Sequence, residues 1–190
     1  MAITKILYRN GGLRQAIDYI TNPVKTDENL LTDYVRCDPG YAAQQMMDTK
    51  RALGKTAGRQ CYHIIQSFKP DEITPELAHE IAKQFAAVHL PGYEAVIATH
   101  VDKAHIHSHI VFNSVNAVTG KMYHSTRENY YQQIHRISDR LCRENGLSIV
   151  LQGENTKSIS YIEWLRQSKG QPTFRSMLEA DLRDAIADAN

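Results

Sequence analysis

The stretch that decides the fold is residues 100–113, which read His-Val-Asp-Lys-Ala-His-Ile-His-Ser-His-Ile-Val-Phe-Asn. From residue 105 onward, histidine alternates with isoleucine and serine, and this period of two residues is typical of a β-strand. On such a strand one face carries His105, His107, His109 and Asn113. The opposite face carries Ile106, Ile110 and Phe112. The sequence therefore predicts a strand with an apolar face toward a core and a histidine-rich face opposite.

A second strand is predicted immediately upstream, over residues 94–100, Glu-Ala-Val-Ile-Ala-Thr-His. Turn residues 102–104 separate the two strands, so we expect a hairpin that brings His100 beside His107 and His109. Three imidazoles at this spacing can share one cation and leave coordination positions open, as catalytic metal centres do. The alternative is a solvated polar face, but strict alternation of histidines favours a metal site.

Length and charge set the general class of protein. The 190 residues predict one domain with its own core. The net charge of +1 does not by itself indicate nucleic-acid binding, and residues 61–120 carry three Lys or Arg against six Asp or Glu, which suits a cation. The three cysteines are scattered along the chain, so we expect no disulfide framework and a location in the reducing cytoplasm. No signal-peptide pattern and no 18-residue apolar run are present.

The remaining elements follow from periodicity and from start and stop signals. Strands are predicted at residues 3–9, within 24–36, at 61–68 and at 147–151; helices are predicted at 13–20, 38–53, 74–88, 125–146, 160–168 and 173–187. The first helix turns Leu13, Ala16, Ile17 and Ile20 to one face, with Tyr19 at its polar border. Leu53, Val88 and Tyr8 are expected in the core. The order predicts an α+β fold, a sheet with helices on its faces.

The histidine stretch resembles the third motif of conjugative relaxases, HUH-type endonucleases that nick plasmid or transposon DNA at a transfer origin. The similarity is to the group of plasmid mobilisation nucleases and the agrobacterial border endonuclease. It implies that His100, His107 and His109 hold a divalent metal, Mg²⁺ or Mn²⁺, although imidazoles also accept Zn²⁺, Co²⁺ or Ni²⁺. The family pattern also contains the acidic residue and the asparagine that stand here as Asp102 and Asn113.

Two further segments resemble relaxase motifs. Residues 16–23, Ala-Ile-Asp-Tyr-Ile-Thr-Asn-Pro, are similar to the pattern around the relaxase nucleophile, which implies that Tyr19 attacks DNA; Tyr8 is the fallback. From the residues alone, a packing role is the default for Tyr19. A free tyrosine has a pKa near 10, so a nucleophilic tyrosine needs help from a cation or base. Residues 63–70 resemble the second motif, in which a serine, here Ser67, contacts DNA near the scissile phosphate.

The resemblance covers most of residues 1–150 and implies a five-stranded antiparallel central sheet there. The helical pattern of residues 151–190 predicts an extension of the same domain, and because this pattern ends without a clear stop signal we expect a longer protein. The resemblance implies nicking by tyrosine transesterification, with a 5′-phosphotyrosine link and a free 3′-hydroxyl. His105 or Asp102 either accepts the tyrosine proton or orients a metal ligand. The implied partners are single-stranded origin DNA with an adjacent hairpin, an accessory DNA-binding protein and a type IV secretion coupling protein; the cytoplasmic protein travels with its DNA into the recipient.

Additional DNA contacts are predicted from charge or pattern. Candidates are Arg9, Lys50, Arg51 and Asn113; Lys50 and Arg51 form a basic cluster with Lys55 and Arg59, for which a solvated helix face is an equal alternative. In the C-terminal segment, Arg166, Lys169 and Arg175 are candidates on charge alone.

Three other functions compete with a relaxase. In rolling-circle replication initiators, which are also HUH enzymes, the histidine motif typically precedes the tyrosine, whereas Tyr19 comes first here. A three-histidine hydrolase or oxygenase needs no tyrosine and releases a small product. A DNA-binding module without catalysis needs no intact motif. Covalent capture of DNA separates a relaxase from a hydrolase or a binding module.

Overall fold

The structure, a computed structural model, describes residues 3–103 and 105–149. Its strands are β1 (Ile3–Arg9), β2 (Thr32–Val35), β3 (Cys61–Ser67), β4 (Ala95–His100) and β5 (His107–Asn113). They form one antiparallel sheet in the order β1-β3-β5-β4-β2, so the histidine hairpin provides two interior strands. The predicted α+β fold with a five-stranded antiparallel sheet is confirmed.

Helices cover both faces of the sheet. They are α1 (Leu13–Ile20), α2 (Ala42–Ala52), α3 (Pro75–His89), α4 (Arg127–Asn129) and α5 (Arg136–Glu144), with a π-helical segment (Tyr130–His135) between the last two. Thr74 caps α3 by accepting a hydrogen bond from the backbone N–H of Leu77, and Pro75 occupies the first helical position. None of the helices described combines the length and the apolar character that crossing a membrane requires.

The sheet separates two cores because side chains alternate along its strands. One core lies under α3 and α5 and includes Ile110 and Phe112 of β5. The other lies under α1 and α2 and includes Val111 of β5. Val111 shares its face with His107 and His109, and we call this side of the sheet the histidine face. It is covered only in part, because the β1 side chains on it remain exposed.

Helix α1 has the predicted bounds and the predicted buried face. Leu13, Ala16, Ile17 and Ile20 recur at helical spacing and are all buried against the histidine face. Burial of each large apolar side chain contributes about 1.5–3 kcal/mol, so this stripe fixes the rotation of the helix. That rotation leaves Tyr19 at the edge of the buried stripe, 46% exposed.

Several local predictions are wrong. Helix α2 begins at Ala42 rather than at residue 38, because Asp38 instead forms a backbone and side-chain hydrogen-bond pair with Gln45. Leu53 and Val88 are exposed rather than buried. Tyr8, also expected in the core, is 57% exposed and packs beneath the guanidinium of Arg59, which lies 4.5 Å from its ring centroid.

The C-terminal part of the described chain differs from the prediction in detail. The helix predicted to begin at residue 125 begins at Arg127, and Thr126 caps it by accepting a hydrogen bond from the backbone N–H of Asn129. Residues 147–149 form no strand. The predicted helices at 160–168 and 173–187, with Arg166, Lys169 and Arg175, lie outside the described residues, and the boundary at 150 stays a prediction.

Candidate metal centre

Strands β4 and β5 bring three histidines together as the hairpin prediction requires. His100 lies opposite His107 in the antiparallel register, and Ala98 lies opposite His109. The ring centroid of His100 lies 5.2 Å from that of His107 and 4.3 Å from that of His109. One ring nitrogen from each of the three lies within 4.8 Å of the others. All three side chains are buried.

Each of the three imidazoles is oriented by a hydrogen bond at one nitrogen. His100 Nε2 lies 2.9 Å from the carbonyl oxygen of Ile20, and His107 Nδ1 lies 3.2 Å from that of His105. Since a carbonyl only accepts, these nitrogens carry the protons and the opposite nitrogens have free lone pairs. His109 Nδ1 lies 2.8 Å from His63 Nε2. This outer set of partners is the arrangement that orients metal-ligating histidines.

The nitrogens that face one another fit a cation. His100 Nδ1 and His109 Nε2 are buried and have no hydrogen-bond partner among the described residues. A buried polar atom without a hydrogen-bond partner lowers the free energy of unfolding by about 1–3 kcal/mol. Burial lowers the pKa of His100, His107 and His109, so their lone pairs are available at neutral pH. Three neutral imidazoles are a suitable donor set for a divalent transition metal.

Tyr19 lies against this cluster. Its ring contacts those of His100 and His109 edge-on, with centroids 5.6 Å and 5.9 Å apart. The helix that carries Tyr19 is joined to the cluster at the next residue, since the carbonyl of Ile20 accepts from His100. Lys25 completes the group, with its Nζ 4.2 Å from the Tyr19 ring centroid. A tyrosine, a cation and three metal-ligand candidates therefore meet at one place.

The other predicted groups at this end of the sheet are close by. Ser67 lies opposite His107 across the β3–β5 pair. Asp102 is exposed in the turn after His100, where its negative charge opposes the effect of burial on the pKa of His100. His105 is also exposed, and its ring centroid lies 5.3 Å from that of His107.

The predicted DNA contacts at Asn113 and Lys50 are not supported by where the structure puts them. Asn113 is fully buried and donates to Met46 O and to Glu94 Oε2. Lys50 is 0% exposed, and its ammonium donates to Ser114 Oγ at 2.5 Å and to Arg59 O at 3.1 Å. Both side chains link α2 to the ends of the strands through hydrogen bonds. Lys50 therefore faces neither solvent nor DNA, and its predicted position is wrong.

Arg51 and Arg9 remain exposed, but at the opposite end of the sheet from His107. Arg51 bonds Asp48 on α2 at 2.7 Å, and Arg9 belongs to the row that continues through Cys61 to Asn113. Asn113 lies six positions along the strand from His107, which corresponds to about 20 Å. A contact of Arg9 with DNA would therefore fall well away from the metal centre.

Sequence reasoning missed two residues of the site. His63 lies within the motif at residues 63–70 but was not predicted to contact the cluster, and no role in the site was predicted for Lys25. The alternation of β3 puts His63 on the same face as Ser67, but its contact with His109 depends on a strand register that residues 46 positions apart do not reveal. Lys25 lies in a loop, where no periodicity indicates direction.

Comparison with known proteins identifies the family. Residues 19–147 match the family described as "Relaxase: MobA/VirD2-like, nuclease domain". "Protein rlx" of Staphylococcus aureus is 34% identical over 191 residues, covering 100% of this chain and 57% of that protein. "Group II intron-interrupted relaxase LtrB" of Lactococcus lactis subsp. cremoris (strain MG1363) is 38% identical over 210 residues, covering 88% of this chain and 37% of that protein. The chain thus spans about half the length of these curated relatives.

Two solved structures share the fold. One is a MobM relaxase domain bound to plasmid pMV158 oriT DNA, with Mn bound; it has a TM-score of 0.58 at 14% identity and covers 87% of this chain and 98% of its own. The other comes from work on vancomycin resistance transfer in Staphylococcus aureus, with a TM-score of 0.55 at 11% identity and coverage of 82% and 100%. On the sequence matches together with this fold, the chain belongs to the MobA/VirD2-like relaxase nuclease family.

Proposed function

We propose that this chain is the nicking domain of a DNA relaxase, which cuts one strand of a transfer origin and stays attached to it. The observation that carries the proposal is the contact of Tyr19 with His100 and His109. A phenol oxygen beside a metal centre suits attack on a phosphodiester, and the half-exposed ring leaves room for DNA.

The reaction we propose is a transesterification at phosphorus. The Tyr19 oxygen forms a bond to the scissile phosphorus, and the bond from phosphorus to the 3′ oxygen breaks. The departing oxygen takes a proton and becomes the free 3′-hydroxyl, while the 5′ end stays linked as phosphotyrosine. His105 or Asp102 accepts the phenol proton or orients a ligand; both are exposed beside the cluster.

His100, His107 and His109 would hold the divalent ion. Such an ion polarises the phosphate and stabilises the charge that develops on its oxygens. We propose Mn²⁺ or Mg²⁺, and the Mn bound to the MobM relaxase domain supports the first of these. Zn²⁺, Co²⁺ and Ni²⁺ also suit imidazole ligands.

The exposed part of the histidine face supplies a path for single-stranded DNA. Ile3, Lys5, Leu7 and Arg9 of β1 alternate apolar and basic side chains on this face, and all four are exposed. Basic side chains suit phosphates and apolar ones suit bases. Ser67, between this row and His107, is well placed to contact DNA near the scissile phosphate.

The substrate we propose is single-stranded origin DNA beside a hairpin. The oriT DNA bound to the MobM relaxase domain supports this class of substrate. An accessory DNA-binding protein, a coupling protein and transfer from the cytoplasm into the recipient belong to the same proposal, as does a helical extension over residues 151–190. The position of Tyr19 ahead of the histidines disfavours a rolling-circle initiator.

The test is capture of DNA in covalent form. Single-stranded oligonucleotides tiled over both strands of the DNA that flanks the gene are incubated with protein and Mn²⁺ and separated on a denaturing protein gel. We expect one oligonucleotide to give a slower band with wild type and with Tyr8→Phe, and no band with Tyr19→Phe. A band that persists in Tyr19→Phe would move the nucleophile elsewhere. Cleavage without a protein-bound product would favour a metal-dependent hydrolase.

A further inference from the structure

Lys25 lies over the ring of Tyr19, the proposed nucleophile. Its ammonium nitrogen lies 4.2 Å from the centroid of the Tyr19 ring, within the range of a cation–π contact. The side chain is half-buried, although it belongs to a surface loop between α1 and β2. Lys25 follows the nucleophile by six positions and reaches back across it.

The backbone of the loop fixes this position. The carbonyl oxygen of Lys25 accepts a hydrogen bond from the N–H of Val101 at 2.8 Å, directly after His100. The adjacent Thr26 is buried, and its hydroxyl donates to the carbonyl of Asn22 at 3.0 Å. The residue after β4 therefore holds the loop in place directly beside His100, one of the three metal-ligand candidates.

The charge on Lys25 has no anionic partner in the described chain. No carboxylate of residues 3–103 or 105–149 lies within ion-pairing distance of its ammonium. Burial is the main cause of the lowered pKa of His100 and of His109, and the positive charge of Lys25 adds to both shifts. A half-buried cation in this setting is well suited to an anion that arrives from outside.

We infer that Lys25 is a catalytic residue that binds a non-bridging oxygen of the scissile phosphate while Tyr19 attacks. This inference rests on the proposed function. As the bond from the Tyr19 oxygen to phosphorus forms and the bond to the 3′ oxygen breaks, negative charge grows on the non-bridging oxygens. Lys25 keeps its proton throughout and stabilises that charge, because it is a cation fixed in place before the charge develops.

The experiment uses the oligonucleotide that wild type captures, with Mn²⁺, and compares Lys25→Met, Lys25→Arg and Lys103→Met. Methionine keeps the apolar stem over the Tyr19 ring without the charge, and arginine keeps the charge. Lys103 is the matched control, since its exposed ammonium also acts on His100 but makes no contact with Tyr19. Two quantities are measured: the single-turnover rate of adduct formation at saturating DNA, and the Kd for the oligonucleotide without metal.

For Lys25→Met we expect an adduct-forming rate about 10- to 100-fold lower and a Kd within about threefold of wild type. Lys25→Arg should recover most of the rate, and Lys103→Met should stay within about threefold of wild type. Equal rates for Lys25→Met and wild type overturn the inference, as do parallel losses of rate and affinity or equal losses in both methionine variants. Failure of wild type to form any adduct would instead overturn the proposed function, and this inference with it.

Discussion

The ring of Tyr19 meets the imidazole of His100 edge-on, with the ring centroids 5.6 Å apart. The contact involves the carbon framework of the phenol, so removal of the hydroxyl alone leaves it in place. The proposed nucleophile and the proposed metal ligands are thus neighbours whose chemical contributions can be separated experimentally.

Tyr19→Phe should abolish the covalent adduct and leave Mn²⁺ affinity within about threefold of wild type, because the ring packing against the cluster persists. His109→Ala should abolish Mn²⁺ binding, because it removes one of three ligands. Isothermal titration calorimetry with Mn²⁺ measures both, with His124→Ala as the exposed control. Equal affinity in His109→Ala and wild type would exclude this histidine from the metal site.

His63→Leu should weaken Mn²⁺ binding by about 10- to 100-fold, because it removes the partner of His109 Nδ1 and frees that ring to turn. His63→Gln, which keeps a hydrogen-bond acceptor, should lose less. The same calorimetry tests the order of the three affinities. If His63→Leu and His63→Gln bind as tightly as wild type, the contact between the two imidazoles does not orient the ligand.

Lys5→Ala and Arg9→Ala should each reduce DNA affinity and lower the slope of log affinity against log salt by about one. The physical reason is the release of one phosphate counterion per contact. Fluorescence anisotropy with the captured oligonucleotide, between low and moderate salt, gives both quantities. Arg140→Ala on α5, against the other face of the sheet, is the control and should change neither. An unchanged slope in both test variants would exclude the β1 path.

A hydrogen-bonded chain behind the cluster supports the hairpin. Asp33 Oδ2 lies 2.9 Å from His79 Nε2, His79 Nδ1 lies 3.1 Å from Thr99 Oγ1, and Thr99 Oγ1 lies 2.8 Å from Ser108 Oγ. The last two residues are opposite each other next to the His100–His107 pair.

Thr99→Val and Ser108→Ala should each lower the free energy of unfolding by about 1–3 kcal/mol, because each leaves buried partners unsatisfied. The double variant should lose less than the sum, with a coupling of at least about 0.5 kcal/mol. Urea unfolding of the four proteins measures this cycle. Additive losses would show that the two hydroxyls do not act together.

His89 should make the fold acid-sensitive. Burial lowers its pKa from 6.5 to about 4, and its Nε2 lies 2.8 Å from the Tyr123 hydroxyl. Because the folded state resists protonation, its stability is complete above pH 6.5 and decreases as the pH falls toward 4. The largest loss from this group is about 3 kcal/mol, and below pH 4 the loss grows no further.

Urea unfolding at pH 7.5 and pH 4.5 tests this prediction. His89→Gln should show a smaller difference in stability between the two pH values than wild type does, while His124→Gln should match wild type. Identical pH dependence in His89→Gln and wild type would assign the acid sensitivity to other groups.

The sequence predicted the elements whose signals are local. The histidine alternation identified β5 and its partner β4, the stripe from Leu13 to Ile20 gave both ends of α1, and Thr74 with Pro75 marked the start of α3. Periodicity and capping act over a few residues, so these elements need no knowledge of the fold. The hairpin turn is equally local, which is why the three-histidine cluster was also foreseen.

What escaped prediction depends on distant partners. Lys50 is buried because Ser114, 64 positions later, accepts from its ammonium. The π-helical segment is accompanied by a hydrogen bond from the Tyr130 hydroxyl to the carbonyl of Thr4, 126 positions earlier. Val88 is exposed because the face of α3 on which it lies does not pack against another element of the described chain. Contacts between distant parts of the chain decide such burial, and local sequence patterns do not predict them.

The hydrogen bond between Ile20 and His100 joins two parts of the chain that are 80 positions apart. Helix α1 carries the proposed attacking group, Tyr19, while the β4–β5 hairpin carries the proposed metal ligands. Mutation can therefore exchange the attacking group within one short gene segment while the hairpin stays intact. If Tyr19 is the nucleophile, laboratory selection for a different attacking group should find its solutions within α1 and the loop that follows it.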